Sequence, residues 1–170
     1  DLPIFDEMRI ALGDVYDGNN LFAFIGNKQG DIHAYEKVGS SWVADSNAIV
    51  NLPNYAYDTS LTLIDMNDDN LLDLILRKDP SGSFNDDEFE GWQNNGYGNA
   101  WTLNSNFVTG LPSQFYDIAA EITSADLDGD GKKDLLIGGA DEFGNKYLDF
   151  YLNNGSSSPQ WVKDNSKISG

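Results

Sequence analysis

Aspartates recur in this chain at a spacing that can wrap a hard cation. In Asp126-Leu127-Asp128-Gly129-Asp130-Gly131-Lys132-Lys133-Asp134-Leu135, carboxylates stand at loop positions 1, 3, 5 and 9, with glycine at 6. Calcium takes six to eight oxygen ligands at roughly 2.3–2.6 Å. The side chains of Asp126, Asp128, Asp130 and Asp134 and the carbonyl of Lys132 can supply five of them. Gly131 provides the left-handed residue that folds such a loop back on itself. Without a cation, four carboxylates this close repel one another.

The pattern returns in Asp65-Met66-Asn67-Asp68-Asp69-Asn70-Leu71-Leu72-Asp73-Leu74. Here Asn67 offers an amide oxygen at position 3, and Asn70 replaces the glycine, since asparagine visits the left-handed region more readily than most residues. A third copy, Asp14-Val15-Tyr16-Asp17-Gly18-Asn19-Asn20-Leu21-Phe22, keeps only the opening aspartate, with Tyr16 and Phe22 at the third and ninth positions. It is expected to bind no ion. An EF-hand needs a bidentate glutamate at position 12; Leu76 and Ile137 stand there, inside apolar runs, so a helical calcium switch is rejected.

The elements carrying these loops repeat with them. Leu2-Pro3, Leu52-Pro53 and Leu111-Pro112 punctuate the chain, and Trp42, Trp101 and Trp161 follow at intervals of 59 and 60 residues. Ile49, Val108 and Ile168 stand seven residues after each tryptophan, and Tyr35, Trp92 and Tyr151 hold equivalent places, the last two followed by Asn94-Asn95-Gly96 and Asn153-Asn154-Gly155. The units are therefore 1–51, 52–110 and 111–170. Each reads as four short strands, in the third about 121–125, 134–138, 147–152 and 161–163. Leu148, Phe150 and Leu152 alternate with Asp149, Tyr151 and Asn153, the period of a half-buried strand. The expected fold is all-β: three four-stranded antiparallel blades of a propeller-like array, incomplete unless extended or oligomerised.

Composition narrows the function. The net charge of −18 works against phosphate backbones, so no nucleic-acid partner is expected. No apolar run approaches the ~20 residues of a membrane helix, so no membrane insertion is expected. There is no cysteine, which excludes disulfides and thiolate metal sites. The single histidine, His33, aligns with Glu90 and Asp149 on what reads as an exposed strand face. No catalytic constellation emerges, and the chain is not expected to be an enzyme. It starts at Asp1 without a signal peptide and reads as a processed or excised piece of something larger.

With Asp126–Gly138 matching an Asp-x-Asp-x-Asp-Gly-x-x-Asp-Leu loop followed by a short strand and glycine, the chain resembles the FG-GAP/VCBS repeat family. Asp65–Leu76 matches with asparagine at two positions, while 1–51 is only weakly similar. The resemblance implies blades of an integrin-like β-propeller, commonly seven, with calcium in the loop joining the first two strands. It implies one site at Asp65, Asn67, Asp69, the Leu71 carbonyl and Asp73, and another at Asp126, Asp128, Asp130, the Lys132 carbonyl and Asp134. Two structural Ca2+ ions are expected.

Three blades are fewer than that count, so the chain is expected to join further blades or to self-associate, two copies supplying six blades or many forming a filament. Family relatives include lectin-like and adhesion proteins. The expected function is a non-enzymatic, extracellular (secreted or cell-surface) module recognising glycans or proteins. A structural subunit of an extracellular fibre or surface assembly is the alternative. Candidate contacts are 81–88, Tyr97 and 141–145, and Asn154-Gly155-Ser156 is a possible glycosylation sequon.

Overall fold

Short strands bounded by Asn, Asp and Gly turns assemble into three separate sheets in chain order. The computed structural model describes residues 2–16, 18, 20–82, 87–112, 121–140, 143–155 and 161–167. The first sheet is β1 (Arg9–Gly13), β2 (Phe22–Gly26), β3 (Ile32–Val38) and β4 (Ser41–Ala44). The second is β5 (Thr59–Ile64), β6 (Asp73–Lys78), β7 (Glu88–Gln93) and β8 (Thr102–Leu103). The third is β9 (Glu121–Ala125), β10 (Asp134–Ala140), β11 (Lys146–Asn153) and β12 (Trp161–Lys163). Every neighbouring pair is antiparallel and sequential, the meander of a propeller blade. A short 3-10 turn follows each fourth strand, at Ser46–Ile49, Ser105–Val108 and Asn165–Lys167.

The first strands of the three blades lie side by side. Around them a hollow of about 180 Å³ is lined by residues including Ala11, Leu61, Thr62, Thr123 and Ser124. Thr62 and Ser124 share a 2.9 Å hydroxyl contact across it. At one end, Arg9 Nε donates to Glu121 Oε1 at 2.7 Å and its guanidinium also meets Asp58. Asp58 in turn accepts from the buried Arg77 at 2.8 Å, and Arg77 pairs with the buried Asp87. This chain of charges ties all three blades together at the axis. Burying Arg77 is tolerable because two carboxylates compensate it.

Two apolar cores fill the gaps between blades. The first joins Val15, Phe24, Ile32 and Ala48 to Leu61, Leu74, Trp92 and Trp101; the second joins Met66, Ile75, Phe89 and Phe107 to Ile122, Leu135, Tyr151 and Trp161. The middle blade is therefore covered on both faces. This overturns the one-sided alternation read from β11: Phe150 and Tyr151 are both buried, on opposite faces, while Leu148 is 47% exposed.

Each internal seam repeats one polar lock. Trp101 Nε1 donates to the Ala48 carbonyl at 2.9 Å, and Trp161 Nε1 donates to the Phe107 carbonyl at 2.8 Å, each reaching the 3-10 turn of the preceding blade. The backbone N–H of Trp101 meets Val50 O and that of Trp161 meets Thr109 O, both at 2.9 Å. Asn51 (φ 69) and Gly110 (φ 94) turn the chain beside these tryptophans. A Cβ on Gly110 would stand 2.2 Å from the Trp161 carbonyl oxygen, so only glycine fits there. Trp42, the third member of the series, is half-buried under the Lys37 ammonium and makes no such bond among the described residues.

Replacing Trp161 by Phe removes the indole donor and strands the Phe107 carbonyl, at a cost of ~1–3 kcal/mol, while Trp101→Phe leaves the Ala48 carbonyl its bond from the Tyr16 hydroxyl and is expected to cost ~1 kcal/mol. Trp42→Phe is expected to stay within ~0.5 kcal/mol. Urea unfolding of the dilute chain checks the ranking; equal losses at all three positions would contradict it.

Candidate functional site

The third-blade loop brings its first three aspartates together. One carboxylate oxygen each of Asp126, Asp128 and Asp130 lies within 4.8 Å of the others, on the exposed surface. Backbone N–H groups hold them: Asp126 accepts from Gly129 at 2.7 Å and Gly131 at 3.0 Å, Asp128 from Asp130, and Asp130 from Lys132. The Lys132 ammonium lies 3.4 Å from Asp130 and offsets part of the charge. An ionised carboxylate offers about four lone-pair sites, so each aspartate keeps capacity for a cation. Oxygen donors gathered this closely fit a hard divalent ion.

Asp134 is placed differently. It is buried at the head of β10, where Oδ2 accepts from Leu127 N and Oδ1 from Asn153 N, both at 2.9 Å. The loop's ninth residue thus braces the loop entrance against the end of β11. The second blade repeats the arrangement: Asp73 accepts from Met66 N and Asn94 N at 2.9 Å. Burial pushes its carboxyl up to about 7, with Asp69 and Asp65 adding to the rise and the two backbone donors opposing it. In the same loop Asp65 accepts from Asp69 N and Asn70 N, Asn67 from Asp69 N, and Asp69 from Leu71 N.

Asn94 and Asn153 complete this brace. Asn94 Nδ2 donates to the carbonyls of Val15 and Leu72, and Asn153 Nδ2 donates to that of Lys133. Their oxygens accept from Gly96 N and Gly155 N. The repeated Asn-Asn-Gly was the sequence signal for both residues, legible as punctuation though not as loop support.

The first-blade loop has become something else. Asp14 still accepts from Tyr16 N and Gly18 N at 3.4 Å, while Asp17 and Asn19 lie outside the described residues. Tyr16 and Phe22, at the positions of lost ligands, pack edge-to-face at 5.2 Å, and Tyr16 meets Tyr97 of the second blade the same way at 5.3 Å. With Asn20 and Glu36 these rings line a cleft of about 370 Å³. Tyr97 is 54% exposed, its hydroxyl donating to Asp45 at 3.0 Å, while the Tyr16 hydroxyl donates to the Ala48 carbonyl and burial pushes its pKa up. Glu36 is half-buried, and its side chain has no hydrogen bond or ion pair among the described residues.

Other expected contacts are less informative. Residues 83–86, 141–142 and Ser156 of the sequon lie outside the described residues; Asn154 is exposed. His33 is half-buried rather than exposed, stacked on Phe5 at 4.4 Å, with Nε2 buried and without a hydrogen-bond partner among the described residues.

No family model and no curated protein matches the chain. Among solved structures it is similar to a fucose lectin from Kordia zhangzhouensis in complex with methyl-fucoside. The TM-score is 0.52 at 13% identity, over 91% of this chain and 96% of that one. At that identity the likeness establishes the shared fold.

The loops carry one removable strain. Asp68 (φ 60) and Asn70 (φ 67) hold the left-handed conformations that Gly129 and Gly131 hold in the third blade. Asp68→Gly is expected to raise stability in chelator by up to ~1 kcal/mol. A lower melting temperature for that variant would contradict the reading.

Proposed function

We propose that the chain is a non-enzymatic, calcium-stabilised extracellular module, of the FG-GAP/VCBS type it resembles in sequence, that recognises glycans. The observation that carries the reading is the Tyr16–Phe22–Tyr97 cleft, whose Glu36 carboxylate has no partner among the described residues. Sugars combine an apolar C–H face, which packs on aromatic rings, with hydroxyls that seek charged and amide acceptors and donors. The cleft offers Tyr97 and Tyr16 for the first and Glu36 and Asn20 for the second. Its volume lies within the usual ~300–1,000 Å³ of small-molecule sites. The likeness of fold to a lectin solved with a methyl-fucoside supports the same reading.

Glu36 and the net charge of −18 favour neutral sugars over sialylated or sulfated ones. The ions have a structural part here. Bound at the Asp126 and Asp65 loops by the folded state alone, calcium stabilises by mass action, ~2.7 kcal/mol at a hundred times its dissociation constant.

A glycan array in millimolar calcium is expected to give signals with neutral glycans, competed by free sugar, with methyl-fucoside included as a probe. Tyr97→Ala and Glu36→Gln are each expected to weaken binding about tenfold, which is ~1.4 kcal/mol. Preferential binding of anionic glycans, or none at all, would overturn the assignment. Separately, Asp126→Ala is expected to lower the melting temperature in calcium but not in chelator. An unchanged calcium response in that variant would remove the ion from the loop.

A further inference from the structure

The aromatic cleft has one wall in the first blade and one in the second, and a side chain outside its lining joins the two. Tyr97 stands on the turn between β7 and β8 and reaches back over the seam. The backbone of that turn is stitched together: Gly96 N donates to Asn94 Oδ1 at 2.9 Å, Asn99 N to Gly96 O at 3.1 Å and Asn99 Nδ2 to Asn95 O at 2.7 Å. Asn95 Nδ2 closes it on the Ala100 carbonyl and the Thr102 hydroxyl. The ring itself is 54% exposed, so the turn leaves its direction open. The hydroxyl settles it, donating to Asp45 Oδ2 at 3.0 Å across the seam, with Asn47 Nδ2 3.5 Å from the same oxygen.

Asp45 already has a structural duty in its own blade. Its Oδ1 caps the first 3-10 turn by accepting from Asn47 N at 2.9 Å. The same repeat position caps the other two turns, Asn104 accepting from Asn106 N at 3.2 Å and Asp164 from Ser166 N at 3.0 Å. Asparagine serves as the cap in the second blade, so a second carboxylate oxygen exceeds what the cap requires. In Asp45 that oxygen is the one that meets Tyr97. At the second seam the sequence keeps neither partner: Asn104 replaces the aspartate, and Ser156 follows Asn153-Asn154-Gly155 where Tyr97 follows Asn94-Asn95-Gly96. The pair therefore goes with the cleft rather than with the repeat.

We infer that Asp45 is a positioning residue of this cleft, holding the Tyr97 ring in place as a preformed wall without itself touching the ligand. The identity of that ligand rests on the glycan reading above; the tether rests on the Asp45–Tyr97 contact alone. A tyrosine has only two side-chain torsions, and one bond at its far end fixes both. A ring fixed in advance carries no ordering cost when a ligand arrives.

Two variants cut the same bond from opposite sides. Asp45→Ser keeps a capping oxygen but is too short to reach Tyr97, and Tyr97→Phe keeps the ring but loses the hydroxyl. In titrations with a panel of neutral methyl glycosides in millimolar calcium, each is expected to weaken binding about threefold. The double variant should bind no more weakly than either single one. Asp45→Asn, which can cap through Oδ1 and donate to the Tyr97 hydroxyl through Nδ2, should restore wild-type affinity. NMR of the free chain reads the tether without any ligand. The Tyr16 ring 5.3 Å away shifts the Tyr97 ring protons, and Asp45→Ser should move them toward the values of an untethered tyrosine. Unmoved Tyr97 protons, wild-type binding by Asp45→Ser, or single losses that multiply in the double variant would overturn the inference. Glycosides that bind no variant while the protons still respond would support the tether and count against the glycan reading.

Discussion

A blade of four strands has two apolar faces, and neither can be left to water without cost. This chain meets that constraint with one repeated contact, the seating of a tryptophan on the preceding 3-10 turn. Trp101 and Trp161 bury large rings between blades and satisfy the indole N–H on Ala48 and Phe107. Their backbone N–H groups bond just beyond those turns, on Val50 and Thr109. Seam, inner-strand alignment and axial charge network then agree in register, and such agreement across levels marks a sequence that specifies one arrangement.

The aspartate loops sit on the first hairpin of each blade and divide their labour by position. The early residues Asp126, Asp128 and Asp130 gather at the surface, where an ion can reach them. The ninth residue turns inward and braces the loop against the third strand, through Asn153 in one blade and Asn94 in the other. Where the first blade has lost both ion ligands and brace, Tyr16 and Phe22 occupy the positions and a cleft opens between loop and second blade. One loop position thus carries a cluster of carboxylates in the third blade and an aromatic cleft in the first, through substitution at the third, fifth and ninth residues.

Much of this was legible in the sequence. The period of Trp42, Trp101 and Trp161 announced the blades, and third-blade strand limits matched to within two residues, β10 running to Ala140 rather than 138. Less legible were features that depend on what lies across a gap. Alternation in β11 looked one-sided because polar Tyr151 faces a neighbouring blade that no local pattern reveals. Period made Trp42 equal to the other tryptophans, yet its indole makes no such bond among the described residues. Spacing marks Asp73 and Asp134 as candidate ligands, but not that one backbone donor to each comes from a segment about twenty residues away, at Asn94 and Asn153. The aromatics of the first loop registered as decay, since their meeting with Tyr97 crosses between blades.

The tryptophan seam is most directly tested by hydrogen exchange of the indole N–H groups, followed by NMR in the dilute chain. Buried and bonded across a seam, the Trp101 and Trp161 indoles should exchange far more slowly than that of Trp42. A Trp161 indole exchanging as fast as Trp42 would mean that the third blade is not seated on the second, and the account of the array would fail.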